Sequence, residues 1–223
     1  MDSLIEIKNR IEQIRKEVPD HVKILAAAKT RTIEEVRAAH GAGITMFGHN
    51  YVQEARAMIP EMGIDAEWHL IGHLQRNKAR TAVELFDMVE SLDSMRLARE
   101  LEKQCAAIEK EMPVLIEVNS GREENKTGIM PDEVLPVAEW ISAQKYLRLT
   151  GLMTMGPLTG NPELSRPYYK ETMRLYAEIQ RQNFPNTDLN TISMGMSNSY
   201  TVAIDEGANL IRLGTCLFGA RKR

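Results

Sequence analysis

The chain has 223 residues, with 28 Lys and Arg against 31 Asp and Glu for a formal charge of -3. That length is enough for one barrel or two small domains, and the mixed signs exclude the clustered basic face of a nucleic-acid groove, the tail Arg221-Lys222-Arg223 being too short to supply one. No run is long and apolar enough to span a bilayer, and the start Met1-Asp2-Ser3-Leu4-Ile5-Glu6 lacks the basic end and apolar core of a signal peptide, so a cytoplasmic protein without membrane or nucleic-acid partners is expected.

Leu4, Ile7, Ile11 and Ile14 recur at helical spacing, predicting a helix from Leu4 to Glu17 that Pro19 closes. Strand-like and helix-like segments then alternate. Strands are predicted at Lys23 to Thr30, Thr45 to Gly48, Glu67 to His73, Met88 to Asp93, Pro113 to Ser120, Leu147 to Met155, Thr191 to Ser197 and Leu210 to Phe218. Helices are predicted at Ile33 to Gly41, Tyr51 to Met62, Arg76 to Leu85, Ser94 to Glu111, Pro131 to Ala143, Ser165 to Gln182 and, briefly, Tyr200 to Glu206. Thr32 with Glu35 three residues on is a capping box, and Pro131-Asp132-Glu133 is an acidic first turn opened by proline. Cys105 falls in a helix and Cys216 in an apolar strand. With no CxxC pattern, both read as reduced packing residues.

About eight strands separated by helices imply a parallel sheet, either open and doubly wound or closed as a (β/α)₈ barrel. Glycine or polar residues follow nearly every strand, which favours a barrel with its site on the C-terminal rim. No Gly-x-Gly-x-x-Gly or Walker lysine supports a dinucleotide or P-loop fold. The expected architecture is a single α/β domain over residues 1-223, a (β/α)₈ TIM-type barrel with an extra N-terminal helix.

Lys29 ends the apolar run Ile24-Leu25-Ala26-Ala27-Ala28. Burial disfavours an ammonium, and a neutral lysine amine forms Schiff bases with aldehydes such as pyridoxal phosphate (PLP). The plainer reading is a lysine reaching solvent from a strand end. Ser197 lies where a strand opens into a short helix, after Gly195, and such turns cradle phosphate as well as serving as ordinary caps. In Arg212-Leu213-Gly214-Thr215, alternation puts Arg212 and Gly214 on one face. An inward Arg212 then needs a partner, either the ring nitrogen of a bound pyridoxal group or a core carboxylate such as Glu117. Asn50 reads as a cap or a ligand contact. His69 and His73 share a face of one strand, and without further ligands they read as structural rather than metal-binding. The polar loop Asn119 to Gly128 is either ligand-facing or simply solvated.

Taken in order, Ala28-Lys29-Thr30, Phe47-Gly48-His49-Asn50-Tyr51-Val52-Gln53-Glu54, Trp68-His69-Leu70-Ile71-Gly72-His73-Leu74-Gln75-Arg76-Asn77-Lys78, Lys126-Thr127-Gly128, Gly151-Leu152-Met153, Ser193-Met194-Gly195-Met196-Ser197 and Arg212-Leu213-Gly214-Thr215 with Phe218-Gly219 resemble the pyridoxal phosphate homeostasis protein family over essentially the whole chain. The resemblance implies a barrel like the N-terminal domain of alanine racemase, with PLP held as a Schiff base on Lys29. It also implies phosphate on Ser197 and the backbone of Gly214 and Thr215, Arg212 near the pyridine nitrogen, and Asn50 beside the ring. The implied role is vitamin B6 homeostasis without established turnover, in a monomer or weak homodimer, with apo PLP-enzymes as possible recipients. Two positions depart from the family pattern. His49 stands where Glu is usual and Ser199 where Asp is usual, so the local charge is less negative, while Ser199 is expected still to cap its helix.

The competing function is an amino-acid racemase of the alanine racemase type. Two-base racemisation needs a proton donor opposite the lysine. Alanine racemases supply it as a tyrosine from an additional C-terminal β-domain of the partner subunit, a domain this chain is expected to lack. Tyr51, Tyr168, Tyr169 and Tyr200 are the candidate replacements, and their spacing singles out none.

Overall fold

In the computed structural model, which describes residues 2–157 and 159–220, eight parallel strands close into a barrel in the order β1 to β8. The strands are β1 Lys23–Ala27, β2 Met46–His49, β3 Glu67–Leu70, β4 Met88–Leu92, β5 Met112–Val118, β6 Leu147–Thr154, β7 Thr187–Ser193 and β8 Leu210–Leu213. The helices are α1 Asp2–Glu17, α2 Ile33–Gly41, α3 Val52–Met62, α4 Ala79–Leu85, α5 Met95–Ala107, α6 Val134–Ser142, α7 Arg166–Gln182, α8 Tyr200–Asp205 and α9 Thr215–Phe218. The expected barrel with an extra N-terminal helix is the observed one. The basic tail lies outside the described residues.

The main core is the layer between strands and helices. Ile7, Ile11 and Ile14 form the buried face of α1, and Phe47, Val89, Val114, Ile116, Leu149 and Ile211 supply the outward faces of the strands. Inside the barrel the apolar filling is sparse. Leu25, Met46, Ile71 and Leu210 pack together, and Met88, Leu115 and Met153 form a second small cluster. Gly48 faces the same space. A Cβ there would stand 2.5 Å from Leu25 Cδ2 and 2.8 Å from Ile71 Cδ1. Buried polar and charged side chains, among them His69, Glu90, Ser193 and Arg212, share the interior.

Several helix boundaries follow from local chemistry. The Thr32–Glu35 box is complete, with Thr32 Oγ1 accepting from Glu35 N–H at 3.2 Å and Glu35 Oε2 accepting from Thr32 N–H at 2.9 Å. Ser94 caps α5 by accepting from Leu97 N–H.

Four strands end three or more residues before expectation, β1 at Ala27, β3 at Leu70, β7 at Ser193 and β8 at Leu213. β7 starts earlier and stops at Ser193, because Gly195 (φ 88°) turns the chain and sits so close to α8 that a Cβ would meet Ala203 Cβ at 2.7 Å. β8 stops at Leu213, and Thr215–Phe218 coils into the short helix α9. Cys216, read as a strand residue, therefore lies half-buried in α9, whereas Cys105 is buried in α5. Both thiols are free.

Candidate functional site

The barrel seam between β8 and β1 gathers the residues singled out in the sequence. Parallel pairing sets Ala26 beside Leu213 and Leu25 beside Arg212, so Lys29 emerges from the C-terminal end of β1 next to the β8–α9 turn. A Cβ built on Gly214 would lie 3.7 Å from Ala27 Cβ, an ordinary contact across that seam. Ser197 Oγ accepts from Gly214 N–H at 3.1 Å and from Cys216 N–H at 3.4 Å, joining the β7–α8 turn to the β8–α9 turn. Thr215 opens α9 and is exposed.

Lys29 lies two residues beyond the last residue of β1 and is half-buried rather than enclosed by the apolar strand. Its Nζ sits over the Tyr51 ring, 4.9 Å from the centroid. Thr30, the next residue, has φ 60°, a region a β-branched residue rarely adopts. The turn is held by Glu54, whose carboxylate accepts from Thr30 N–H at 3.3 Å, and by Arg31 N–H donating to Ala28 C=O. Arg31 then reaches across the seam, donating to Gly219 C=O at 2.7 Å.

Asn50 follows β2, half-buried, and lines a cavity of ≈ 310 Å³ with Tyr51, Gly72 and His73. A Cβ on Gly72 would strike the Asn50 carbonyl oxygen at 2.5 Å, so glycine there is what lets β2 and β3 end side by side.

Arg212 is buried and faces the barrel interior, and its hydrogen bonds go to groups other than Glu117. Nη1 donates to Ser193 Oγ at 2.6 Å and Nη2 to Thr154 C=O at 2.9 Å, with Glu90 Oε2 at 4.0 Å from Nη1. Glu117 instead accepts from Thr127 Oγ1 at 2.7 Å, and burial holds its carboxyl above the usual range. Burial draws the Arg212 guanidinium below its ordinary value, against the opposing charge of Glu90.

His69 belongs to the same interior. Its Nδ1–H donates to Glu90 at 2.6 Å and its Nε2–H to Glu67 at 2.9 Å. Burial alone would lower its pKa, but the two carboxylates outweigh burial and raise it to about 9. Burial would likewise raise Glu90, yet the His69 hydrogen bond and the charges of His69 and Arg212 hold it below the ordinary carboxylate value. Glu90 was missed in the sequence, where its only signal was a carboxylate in an otherwise apolar strand, and Ser193 stood in a quoted motif without a role of its own.

The polar loop is tied down along its length. Asn119 Nδ2–H donates to Glu123 C=O, its Oδ1 accepts from Glu123 N–H, and Lys126 pairs with Glu123 at 2.6 Å. His73 lies past β3 and pairs with Asp93.

The two departures from the family pattern land in the core. His49 is fully buried and stacked on Trp68 at 5.8 Å, with no partner for either ring nitrogen among the described residues. Burial lowers its pKa to about 4. Ser199 makes no side-chain cap. Its hydroxyl pairs with Tyr169 OH at 2.8 Å and accepts from Met196 N–H at 3.3 Å. Of the four tyrosines considered, Tyr51 has its ring against Lys29. Tyr168, Tyr169 and Tyr200 bond Glu123, Ser199 and Glu17.

Comparison with known proteins adds to this geometry. The family described as Alanine racemase, N-terminal domain, matches residues 3–222. A Haemophilus influenzae protein named pyridoxal phosphate homeostasis protein is 38% identical over 221 residues, covering 96% of this chain and 93% of that protein. One of the same name from Aquifex aeolicus is 39% identical, over 90% and 87%. PipY of Synechococcus elongatus, solved with PLP bound, superposes with a TM-score of 0.88 at 33% identity, covering 96% of this chain and all of that one. Alanine racemase from Corynebacterium glutamicum shares the fold, with a TM-score of 0.80 at 17% identity over 62% of its own length. A chain that matches its relatives at this identity over nearly its full length belongs to the pyridoxal phosphate homeostasis proteins, within the alanine racemase N-terminal domain family.

Proposed function

We propose that this protein binds PLP through Lys29 and serves intracellular vitamin B6 homeostasis in the cytosol, as a non-catalytic holder that can pass the cofactor to apo PLP-enzymes. The observation that carries the reading is the meeting of Lys29, Ser197 and Gly214 along one seam, with Arg212 in the interior two residues before Gly214. The donor set fits the group: a primary amine for the aldehyde, a hydroxyl and turn amides for the phosphate, a guanidinium for the ring nitrogen. PLP supplies a reactive aldehyde and an electron-withdrawing ring.

In this reading the Lys29 amine condenses with the aldehyde with loss of water, and the Tyr51 ring borders the lysine on one side. Ser197 and the amides of Gly214 and Thr215 orient the phosphate, so the Ser197 hydroxyl turns from Gly214 toward it. Asn50 flanks the ring from the end of β2. Arg212, a permanent cation, keeps a proton off the nitrogen it faces, which weakens the ring as an electron sink and suits holding over turnover. The three tyrosine hydroxyls bonded to Glu123, Ser199 and Glu17 support the same view, since none is poised as a second base.

The test is the visible spectrum of the purified protein with PLP, before and after borohydride, with the modified peptide located by mass. A yellow species trapped on Lys29, and lost in Lys29→Ala, is expected. An adduct retained by Lys29→Ala overturns the assignment. Exchange of an amino acid's α-proton with solvent at a catalytic rate would replace the holder reading with the racemase one.

A further inference from the structure

The barrel interior holds a chain of charged groups that binding PLP does not itself require. Glu67 and His69 come from β3, Glu90 from β4, Ser193 from β7 and Arg212 from β8. His69 donates from both ring nitrogens to carboxylates, so it is an imidazolium. Ser193 Oγ–H donates to Glu90 Oε2 at 2.5 Å and accepts from Arg212 Nη1–H. β4 and β7 are not neighbours, so the Glu90–Ser193 bond crosses the barrel. His69, Glu90 and Ser193 have no exposed surface. Buried ion networks of this kind are not an economical way to stabilise a core, because apolar residues of similar volume do as well or better. What this network achieves is geometric. It fixes one side of the Arg212 guanidinium through Ser193, while the Thr154 carbonyl fixes the other.

The other end of the chain is open. Glu67 and His69 line a cavity of ≈ 220 Å³ at the N-terminal mouth, with His21, Lys23, Asn190 and Asn209. The network thus runs from that mouth to the level just below the seam.

We propose that Glu90, held by protonated His69, is the positioning residue for Arg212, and that this pair sets from the N-terminal mouth the charge presented at the ring-nitrogen end of the site. The second half rests on the PLP reading; the first does not. The charged and titratable groups facing the pair are Lys23 on β1, Glu67 on β3, Glu117 on β5, Arg212 on β8 and, beside the cavity, His21. Tyr169 faces Arg212 from α7.

The experiment compares the parent with Glu90→Gln, His69→Gln, Ser193→Ala and Glu117→Gln. Glu117 faces Arg212 without a hydrogen bond to it and serves as the control. In apo protein the guanidinium signals of Arg212, identified with Arg212→Lys, are followed by ¹⁵N NMR. Separate Nη signals are expected in the parent and in Glu117→Gln, and their collapse by exchange in Glu90→Gln and Ser193→Ala. In PLP-loaded protein the midpoint of the spectral pH titration is expected to move by at least one pH unit, tenfold in proton affinity, in His69→Gln and Glu90→Gln only. Unchanged Arg212 signals in folded Glu90→Gln overturn the positioning role, and an unmoved midpoint overturns the coupling. Should Glu90→Gln fail to fold, Ser193→Ala decides, since it keeps every charge and removes only the link. Failure of the parent to take up PLP would sink the proposed function while leaving the apo measurement valid.

Discussion

His49 shows how a single buried ring can set the acid stability of the molecule. Its nitrogens have no partners among the described residues, and its pKa is lowered to about 4 by burial. The unfolded chain therefore takes up a proton near pH 6.5 that the folded chain refuses until about pH 4. A depressed base stabilises the fold above its unfolded pKa and loses that contribution as pH falls, here by about 3 kcal/mol across the window. His69 has the opposite sign. Its folded pKa is raised, so its contribution is complete below pH 6.5 and fades as pH rises through about 9. Denaturant titrations should give a stability maximum between the two limbs. His49→Leu should flatten the acid limb and add about 1 kcal/mol at pH 7, because it removes two unsatisfied polar atoms at similar volume. An acid limb unchanged in that variant would assign the sensitivity to other groups.

At the scale of elements, the capping box on α2 gives a simple check. Thr32→Ala should cost about 1 kcal/mol in chemical denaturation, with the unfolding slope unchanged. Gly151 is a harsher site, because a Cβ there would overlap the Thr191 carbonyl oxygen where the β6–β7 register shifts. Gly151→Ala should destabilise by about 3 kcal/mol, since backbone must move rather than a side-chain tip. Helices with caps were legible in the sequence because their signals are local: Thr32 and Glu35, the spacing of Ile7, Ile11 and Ile14, and Pro131. The ends of β7 and β8 were not. The segment Thr215 to Phe218 read as strand, yet its four residues coil into one helical turn after β8. The set Lys29, Ser197, Arg212 and Gly214 was legible through ordered motifs. The partner of Arg212 was not, because Ser193 and Glu90 are 103 residues apart and only barrel closure brings them together.

For the whole molecule, PLP bound at the seam should act as a stabiliser by mass action. At a free concentration of about 100 times Kd the gain is about 2.7 kcal/mol, read as a rise in Tm. In Lys29→Ala most of that rise should vanish while the Tm without PLP stays near the parent's. A Tm that climbs equally in both would show that the added PLP acts elsewhere.

The seam also fixes when the molecule becomes competent. Lys29 and Gly214 come from opposite ends of the chain, and Arg31 clasps Gly219 across 188 positions of sequence. Every strand between them must be laid down before those groups meet, so under the proposed function a ribosome-bound chain lacking β8 should fail to take up PLP. Long-range closure of this kind is slow compared with helix formation. Uptake of PLP is then a clock for the last step of folding: in a refolding experiment, helix content should recover first and the yellow colour last.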